Sequence, residues 1–396
     1  MRRRILAMTS LAHFINDGCG IAYATSYPIY INRGYSYIDV SIASALYLGT
    51  SAISSIAVGR IGDSIRRPAI LLGFGVALWS IAIFILGYSI MAIDTRRSLE
   101  LLLISALVGG VASSIYHPIG ASIVSRYFIE DRGLALGING SMGALGRSSY
   151  PIIITLLLSI TPAGLLPLAI ASLVASISII ASIGGITQNT GSRYRAVSIS
   201  REIALPIALL TVIAMMRGIL SQGVITYLST FINQKMGISY GVEVGLLTSL
   251  ALAGSIVSQP FLGVLSDRLG RGRSMILTTI MGSVSIYGFL ELYRYSLASY
   301  IFLFLFGIFA FEAFTLLLSF VSDIMPERYV STANSIVWGL GLSAGGSIGP
   351  VIVGLIASSS SLEAGYMAIA SLNLLTIPII LYVKQFSHVR LASPQP

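Results

Sequence analysis

This chain is poor in what a water-soluble protein needs on its surface. Charged residues make up 10% of its 396 positions, where a soluble domain carries about 25%. So few charges cannot cover a chain of this length in water, and lipid is the solvent that tolerates the deficit. Cysteine occurs once, as Cys19, so no internal disulfide framework exists, and its place inside an apolar segment reads as a small packing residue. No close Cys/His set has the spacing of a metal centre, and no G-x-x-x-x-G-K-[ST] nucleotide loop is present. Despite a net charge of +9, no basic groove interleaved with aromatics appears, which argues against nucleic acid as a partner. A clear small-residue cleavage site is also missing after Met1-Arg2-Arg3-Arg4. The start is therefore read as an uncleaved first helix, whose apolar run continues through His13, Asn16 and Asp17.

What is abundant points the same way. Hydrophobic residues reach 55% and glycines number 40, and glycine is more frequent in membrane helices than in soluble ones. A span needs about 20 apolar residues. Twelve such segments are expected, at 5–31, 38–60, 68–91, 99–127, 131–159, 162–185, 203–233, 241–264, 274–294, 297–322, 328–356 and 362–384. The polar stretch Thr187–Glu202 divides them six and six. The expected organisation is an N-terminal six-helix bundle over 1–186, a cytoplasmic linker over 187–202 and a C-terminal six-helix bundle over 203–396. With the N-terminus inside, seventeen Lys and Arg fall on one face and five on the other, leaving Arg147 and Arg217 within spans. By the positive-inside rule both termini are expected in the cytoplasm.

A loop repeats. After span two the chain reads Gly59-Arg60-Ile61-Gly62-Asp63-Ser64-Ile65-Arg66-Arg67; after span eight it reads Gly263-Val264-Leu265-Ser266-Asp267-Arg268-Leu269-Gly270-Arg271. The two aspartates lie 204 residues apart, at the same place in each half. A second echo pairs Glu130-Asp131-Arg132 with Pro326-Glu327-Arg328, and Gly-rich stretches ending in Pro151 and Pro350 pair spans five and eleven. This is duplication with parallel topology. The composition suits a gate. Glycine permits tight turns and close approach, aspartate offers charge to a helix N-terminus or an arginine, and the arginines anchor the loop at an anionic leaflet. An ordinary positive-inside loop is the plainer alternative for either copy alone.

These paired loops resemble the signature of the major facilitator superfamily. The resemblance implies an all-α membrane protein of twelve transmembrane helices in two pseudo-symmetric six-helix bundles. It also implies a central cavity, alternating access by rocking, and spans one, four, seven and ten as cavity walls. It assigns gating to Gly59, Asp63, Arg66, Arg67, Gly263, Asp267, Arg268 and Arg271, with each aspartate docking on the opposite bundle. His13-Phe14-x-Asn16-Asp17 and His117-Pro118-x-Gly120-Ala121 resemble more narrowly the fosmidomycin-resistance branch of efflux proteins, which are thought to exchange drug for protons. Ile119 departs from that pattern, where an acid often stands.

Ionisable groups inside a span cost about 2.5–3.5 kcal/mol each at the helix centre, so each is a site candidate. His13 and Asp17 share a helix face and could pass a proton, form a structural pair, or bind metal with His117. His117 either faces the cavity or satisfies backbone freed by Pro118. Arg217 would draw an anion or pair with Glu312, and Glu312 could be a titrating carboxyl. Arg147, within Gly143-x-x-Gly146-Arg147, sits where small residues allow close packing. Tyr23, Tyr27, Tyr227 and Trp338 suit either a cavity wall or packing. The expected assignment is proton coupling by His13, Asp17 and Glu312, and substrate contact by Asn16, His117, Arg147 and Arg217. No cofactor or metal is expected, and the protein is read as a monomer in the cell membrane whose partners are protons, lipid and a small solute. The expected function is proton-coupled efflux. The rivals are an importer or facilitator of a small organic anion, a polytopic membrane enzyme, and a membrane sensor without transport.

Overall fold

The computed structural model describes residues 1–95, 97–188, 201–311, 316–325 and 327–386. Among them the secondary structure is helical throughout. The helices are α1 (Arg2–Ile31), α2 (Tyr37–Ser64), α3 (Pro68–Met91), α4 (Arg97–Tyr127), α5 (Arg132–Ile160), α6 (Leu166–Ile183), α7 (Arg201–Gln234), α8 (Val242–Leu269), α9 (Arg271–Leu292), α10 (Ser296–Ala310), α11 (Leu316–Ile324), α12 (Glu327–Ile336), α13 (Ala344–Ser359), α14 (Leu362–Leu374) and α15 (Thr376–Val383). A π-helical turn, Val337–Ser343, joins α12 to α13.

Local chemistry sets several boundaries. Ser36 caps α2 by accepting from the Asp39 amide at 3.1 Å, while the Asp39 carboxylate accepts from the Ser36 amide at 2.8 Å, a reciprocal pair that satisfies two otherwise orphaned donors. Pro68 opens α3, where its missing N–H costs nothing. Gly270 turns the chain between α8 and α9 at φ +83°, a conformation that side chains resist.

The outer faces are apolar. Along α6, Ile170, Leu173, Val174 and Ile177 are all exposed, and their spacing puts them on one stripe of the helix. In water such a stripe would be an aggregation patch; against acyl chains it is the ordinary surface. Inside, many serine and threonine hydroxyls bond carbonyls of their own helix, as Thr9 to Ile5 at 2.9 Å and Thr155 to Pro151 at 2.8 Å do.

Of the twelve expected spans, nine appear among the described residues as helices long and apolar enough to cross a membrane, or ten if the bent α8 counts as one. The expected first span is met by α1, a continuous helix of 30 residues whose hydropathy is lowered by Thr9, Ser10, His13, Asn16 and Asp17. In the expected tenth span, α10 has 15 residues and ends at Ala310, ahead of residues 312–315, which lie outside the description. Within α8 the axis bends by 47° between Ser258 and Pro260, as proline removes a helical hydrogen bond and clashes with the preceding turn. The last span, Leu362–Phe386, is counted as one although its helical hydrogen bonding is interrupted at Leu375, three residues before Pro378. The all-α, multi-pass membrane architecture stands.

Two compact units form. The first takes Met1–Arg193 with Thr226–Ser249, the second Tyr194–Ile225 with Leu250–Pro396. In the first, α1 packs on α5, α4, α6 and α3, while α4 lies against α2 and α3. Within the same unit the Tyr227 hydroxyl donates to the Tyr37 carbonyl at 2.7 Å. A Cβ on Gly245 would stand 2.6 Å from the Pro151 carbonyl, so that glycine is set by close backbone approach. The core of the second unit gathers Ile207, Leu210 and Ala214 of α7, Met275 of α9, Leu317 and Phe320 of α11, and Ile380 and Val383 of α15.

Candidate functional site

The polar centre of the first unit is built by α1, α3, α4 and α5. Asp17 is its hub, with a side chain only 7% exposed. Arg147 Nη2 donates to Asp17 Oδ2 at 2.7 Å, and the Asn16 amide donates to Asp17 Oδ1 at 3.1 Å. His13 Nε2 lies 3.6 Å from that same Oδ1. Asn16 is itself anchored, since the Trp79 indole N–H donates to its carbonyl oxygen at 2.9 Å. His13 is held by a hydrogen bond between Nδ1 and the Asn139 main-chain carbonyl at 2.8 Å, and it stacks on Tyr116 with ring centres 4.2 Å apart. The Tyr116 hydroxyl donates to the Asn139 side-chain carbonyl. His117 meets His13 edge-on at 5.6 Å.

Glycine makes this geometry possible. A Cβ on Gly146 would stand 2.1 Å from the Phe14 carbonyl, and one on Gly143 would stand 2.3 Å from His13 Nε2. The first meets backbone and is sterically forbidden, and the second would displace the His13 ring, so glycine at these two points lets α5 press on α1 with the ring in place. That approach brings Arg147 within reach of Asp17, 130 residues earlier in the chain. The ion pair offsets the cost of holding both charges in a membrane span.

The site opens on one side. Arg147 is 31% exposed and His117 is exposed, whereas Asn16 and Asn139 are buried. A buried carboxylate, an arginine on its rim and two imidazoles form a set that can exchange protons and hold a small anion. Among the described residues no group of three acidic, histidine or cysteine side chains is placed to hold a metal ion.

Of the residues expected from sequence, His13, Asn16, Asp17, His117 and Arg147 are brought together. Arg217 belongs to a different environment in the second unit. Its Nη2 donates to the Met275 carbonyl at 2.9 Å and to the hydroxyls of Thr278 at 3.0 Å and Thr279 at 2.8 Å, stapling α7 to α9. Glu312, its expected partner, lies outside the described residues, as does the side chain of Asp63. In the loop of the second unit, Arg271 bridges Asp267 at 3.6 Å and Asp323 at 2.9 Å, and Arg268 is exposed. In the first loop Arg66 and Arg67 are exposed. Gly59 and Gly263 are helical and have open space where a Cβ would stand; the turn is made by Gly270.

Four participants escaped the sequence reading. Asn139 shares a face of α5 with Gly143 and Gly146 by the i, i+4, i+7 rule, which was a usable signal. Tyr116 and Trp79 gave none beyond being aromatic. Gln188 straps the first loop: its side-chain amide donates to the Gly62 carbonyl at 2.6 Å and the Ile65 carbonyl at 2.9 Å, and Arg126 donates to its side-chain oxygen. Tyr23 and Tyr27 prove to be packing residues, bonded to the Ser105 carbonyl at 2.7 Å and the Ser44 hydroxyl at 2.8 Å.

A sequence model of the Major Facilitator Superfamily matches residues 9–242 and 207–394. The chain is 22% identical over 385 residues to the fosmidomycin resistance protein of Escherichia coli (strain K12), covering 94% of this chain and 90% of that one. It is 28% identical over 181 residues to a probable nitrate transporter, NarT, of Staphylococcus epidermidis, covering 43% of each. Among solved structures, a bacterial homolog of the human lysosomal transporter Spinster matches with a TM-score of 0.72 at 14% identity, covering 98% of this chain and 96% of that one; that likeness is one of fold.

Proposed function

Because the chain belongs to the Major Facilitator Superfamily, a fold that moves small solutes across membranes, we propose that it is a secondary transporter working by proton-coupled efflux. The observation that carries the coupling is the shared carboxylate: Asp17 holds Arg147 at 2.7 Å while His13 stands 3.6 Å away. A proton arriving at this pair weakens the hold of Asp17 on Arg147, and the arginine on the open rim then becomes available to substrate beside His117. In this reading residues 1–186 and 203–396, joined by 187–202, are the moving bodies, and both termini are cytoplasmic. The loops carrying Asp63 and Asp267 bias one facing of the cycle. Glu312 remains a candidate second proton site, and Arg217 supports the second unit by its staple to α9. Efflux rests on the whole-length likeness to the fosmidomycin resistance protein.

A small anion as imported solute is the second reading. The partly exposed Arg147 favours it, as does the likeness of part of the chain to a probable nitrate transporter. A thermal-shift screen of the purified protein against anions, sugars and drugs identifies the solute, since a bound ligand stabilises by mass action. Flux of that solute into or out of liposomes under an imposed pH gradient then separates the two directions. Asp17→Asn and Glu312→Gln are expected to lose gradient-driven accumulation. Full driven flux in both variants removes the proton role from these residues.

A further inference from the structure

We propose that the coupling proton is held on Nε2 of His13, and that Asn139 is the positioning residue that reserves this nitrogen for it. The inference rests on the transport reading above and names the atom within it. A carbonyl oxygen has lone pairs only, so the ring nitrogen facing the Asn139 carbonyl at 2.8 Å must carry hydrogen. A neutral imidazole has one N–H, which leaves Nε2 bare. That bare nitrogen lies 3.6 Å from Asp17 Oδ1, which accepts from the Asn16 amide, and no hydrogen stands between the ring nitrogen and the carboxylate. One proton turns this contact into an attraction between opposite charges, and a small approach of the two side chains then brings them within hydrogen-bonding distance. The imidazolium then donates in both directions, from Nδ1 to the carbonyl and from Nε2 to the carboxylate.

The ring cannot escape this choice by turning. Tyr116 stacks on one face at 4.2 Å, and the Tyr116 hydroxyl is fixed by the Asn139 side-chain carbonyl. Gly143 closes on Nε2 from α5. Asn139 therefore acts twice, through its main chain on the ring and through its side chain on the stacking partner. The titratable and charged groups facing His13 are Asp17 on its own helix, Tyr116 and His117 on α4, and Arg147 on α5, which reaches it through Asp17. The proton comes from water on the open side at His117 and Arg147: an O–H bond of hydronium breaks, the N–H bond at Nε2 forms, and no electrons change hands. The carboxylate then serves two cations, which loosens its bond to Arg147. Asn139 and Arg147 lie on the same helix, so proton uptake is sensed by the element that carries the released arginine.

The chain has three histidines, His13, His117 and His388, so the test needs no bound solute. Ring-15N-histidine is incorporated into the full-length protein in lipid, and its nitrogen resonances are followed from alkaline to acid pH. The His117→Asn/His388→Gln variant leaves His13 as the sole signal, and His13→Gln in the otherwise native chain gives the same assignment by loss. The expected result is a protonated Nδ1 and a bare Nε2 at alkaline pH, with Nε2 alone moving to the protonated position on acidification. Protonated Nε2 with bare Nδ1 at alkaline pH overturns the proposal, as does a ring that takes no proton before the protein unfolds. Gradient-driven flux together with either of those spectra would leave transport standing and remove His13. The expected titration in a protein without gradient-driven flux would remove the coupling role along with the transport reading.

Discussion

Asp17 and Arg147 are worth more to each other than either is alone. Removing the arginine leaves a carboxylate that is 7% exposed without its counter-charge, and stranding one member of a buried pair costs about 3–5 kcal/mol. Arg147→Ala is expected to lower stability by about 3 kcal/mol, the lower figure because the arginine is partly exposed. Adding Asp17→Asn in the same molecule should return much of that loss. Thermal unfolding of the four proteins of the cycle measures the coupling, and strict additivity would show that the pair contributes nothing. The Asp17→Asn substitution removes the charge but keeps the shape of the side chain and its place beside Asn16, so stability and driven flux separate at this position.

At the scale of the helix, the decisive feature of α5 is where its glycines fall. Gly146 faces the Phe14 carbonyl, whereas Gly137 on the same helix has nothing within 4 Å of a built Cβ. Gly146→Ala must push α5 off α1, with an overpacking cost of about 1–3 kcal/mol and a longer reach from Arg147 to Asp17. Gly137→Ala meets no obstacle and gains up to about 1 kcal/mol of helix propensity. The two melting temperatures should therefore move in opposite directions, and a fall of similar size in both would show that close approach is not what Gly146 provides. The second unit uses the same device: a Cβ on Gly345 would stand 2.0 Å from the Met215 carbonyl and one on Gly349 would stand 2.4 Å from that of Ile219. The duplicated Gly-rich stretches thus serve duplicated helix contacts, α5 on α1 and α13 on α7.

For the whole molecule, the testable statement is topology. Cys19 is fully buried, so an impermeant maleimide should meet little background in the native chain. Cysteines introduced at the exposed positions Ser64 and Thr95 are expected to label from opposite faces, Ser64 from the cytoplasmic side. Labelling of both from one side would overturn the arrangement of α2, α3 and the termini.

Composition and pattern alone determined that lipid is the solvent, that the chain is helical and multi-pass, that its loop motif is duplicated, and that His13, Asp17, His117 and Arg147 are the costly groups requiring an account. These properties are local or additive, legible from the residue types and their spacing. Span counting by apolar length was less secure, because α1 trades hydropathy for the polar side chains of the site and α10 is short. Only tertiary structure decided which groups meet. Arg147 reaches Asp17, while Arg217, equally intramembrane by sequence, turns to the Met275 carbonyl and two threonines of α9. Asn139 became part of the site through a main-chain carbonyl that every residue possesses. Such pairings depend on how far one helix can approach another and how it is rotated, and those are set by packing across segments far apart in the chain.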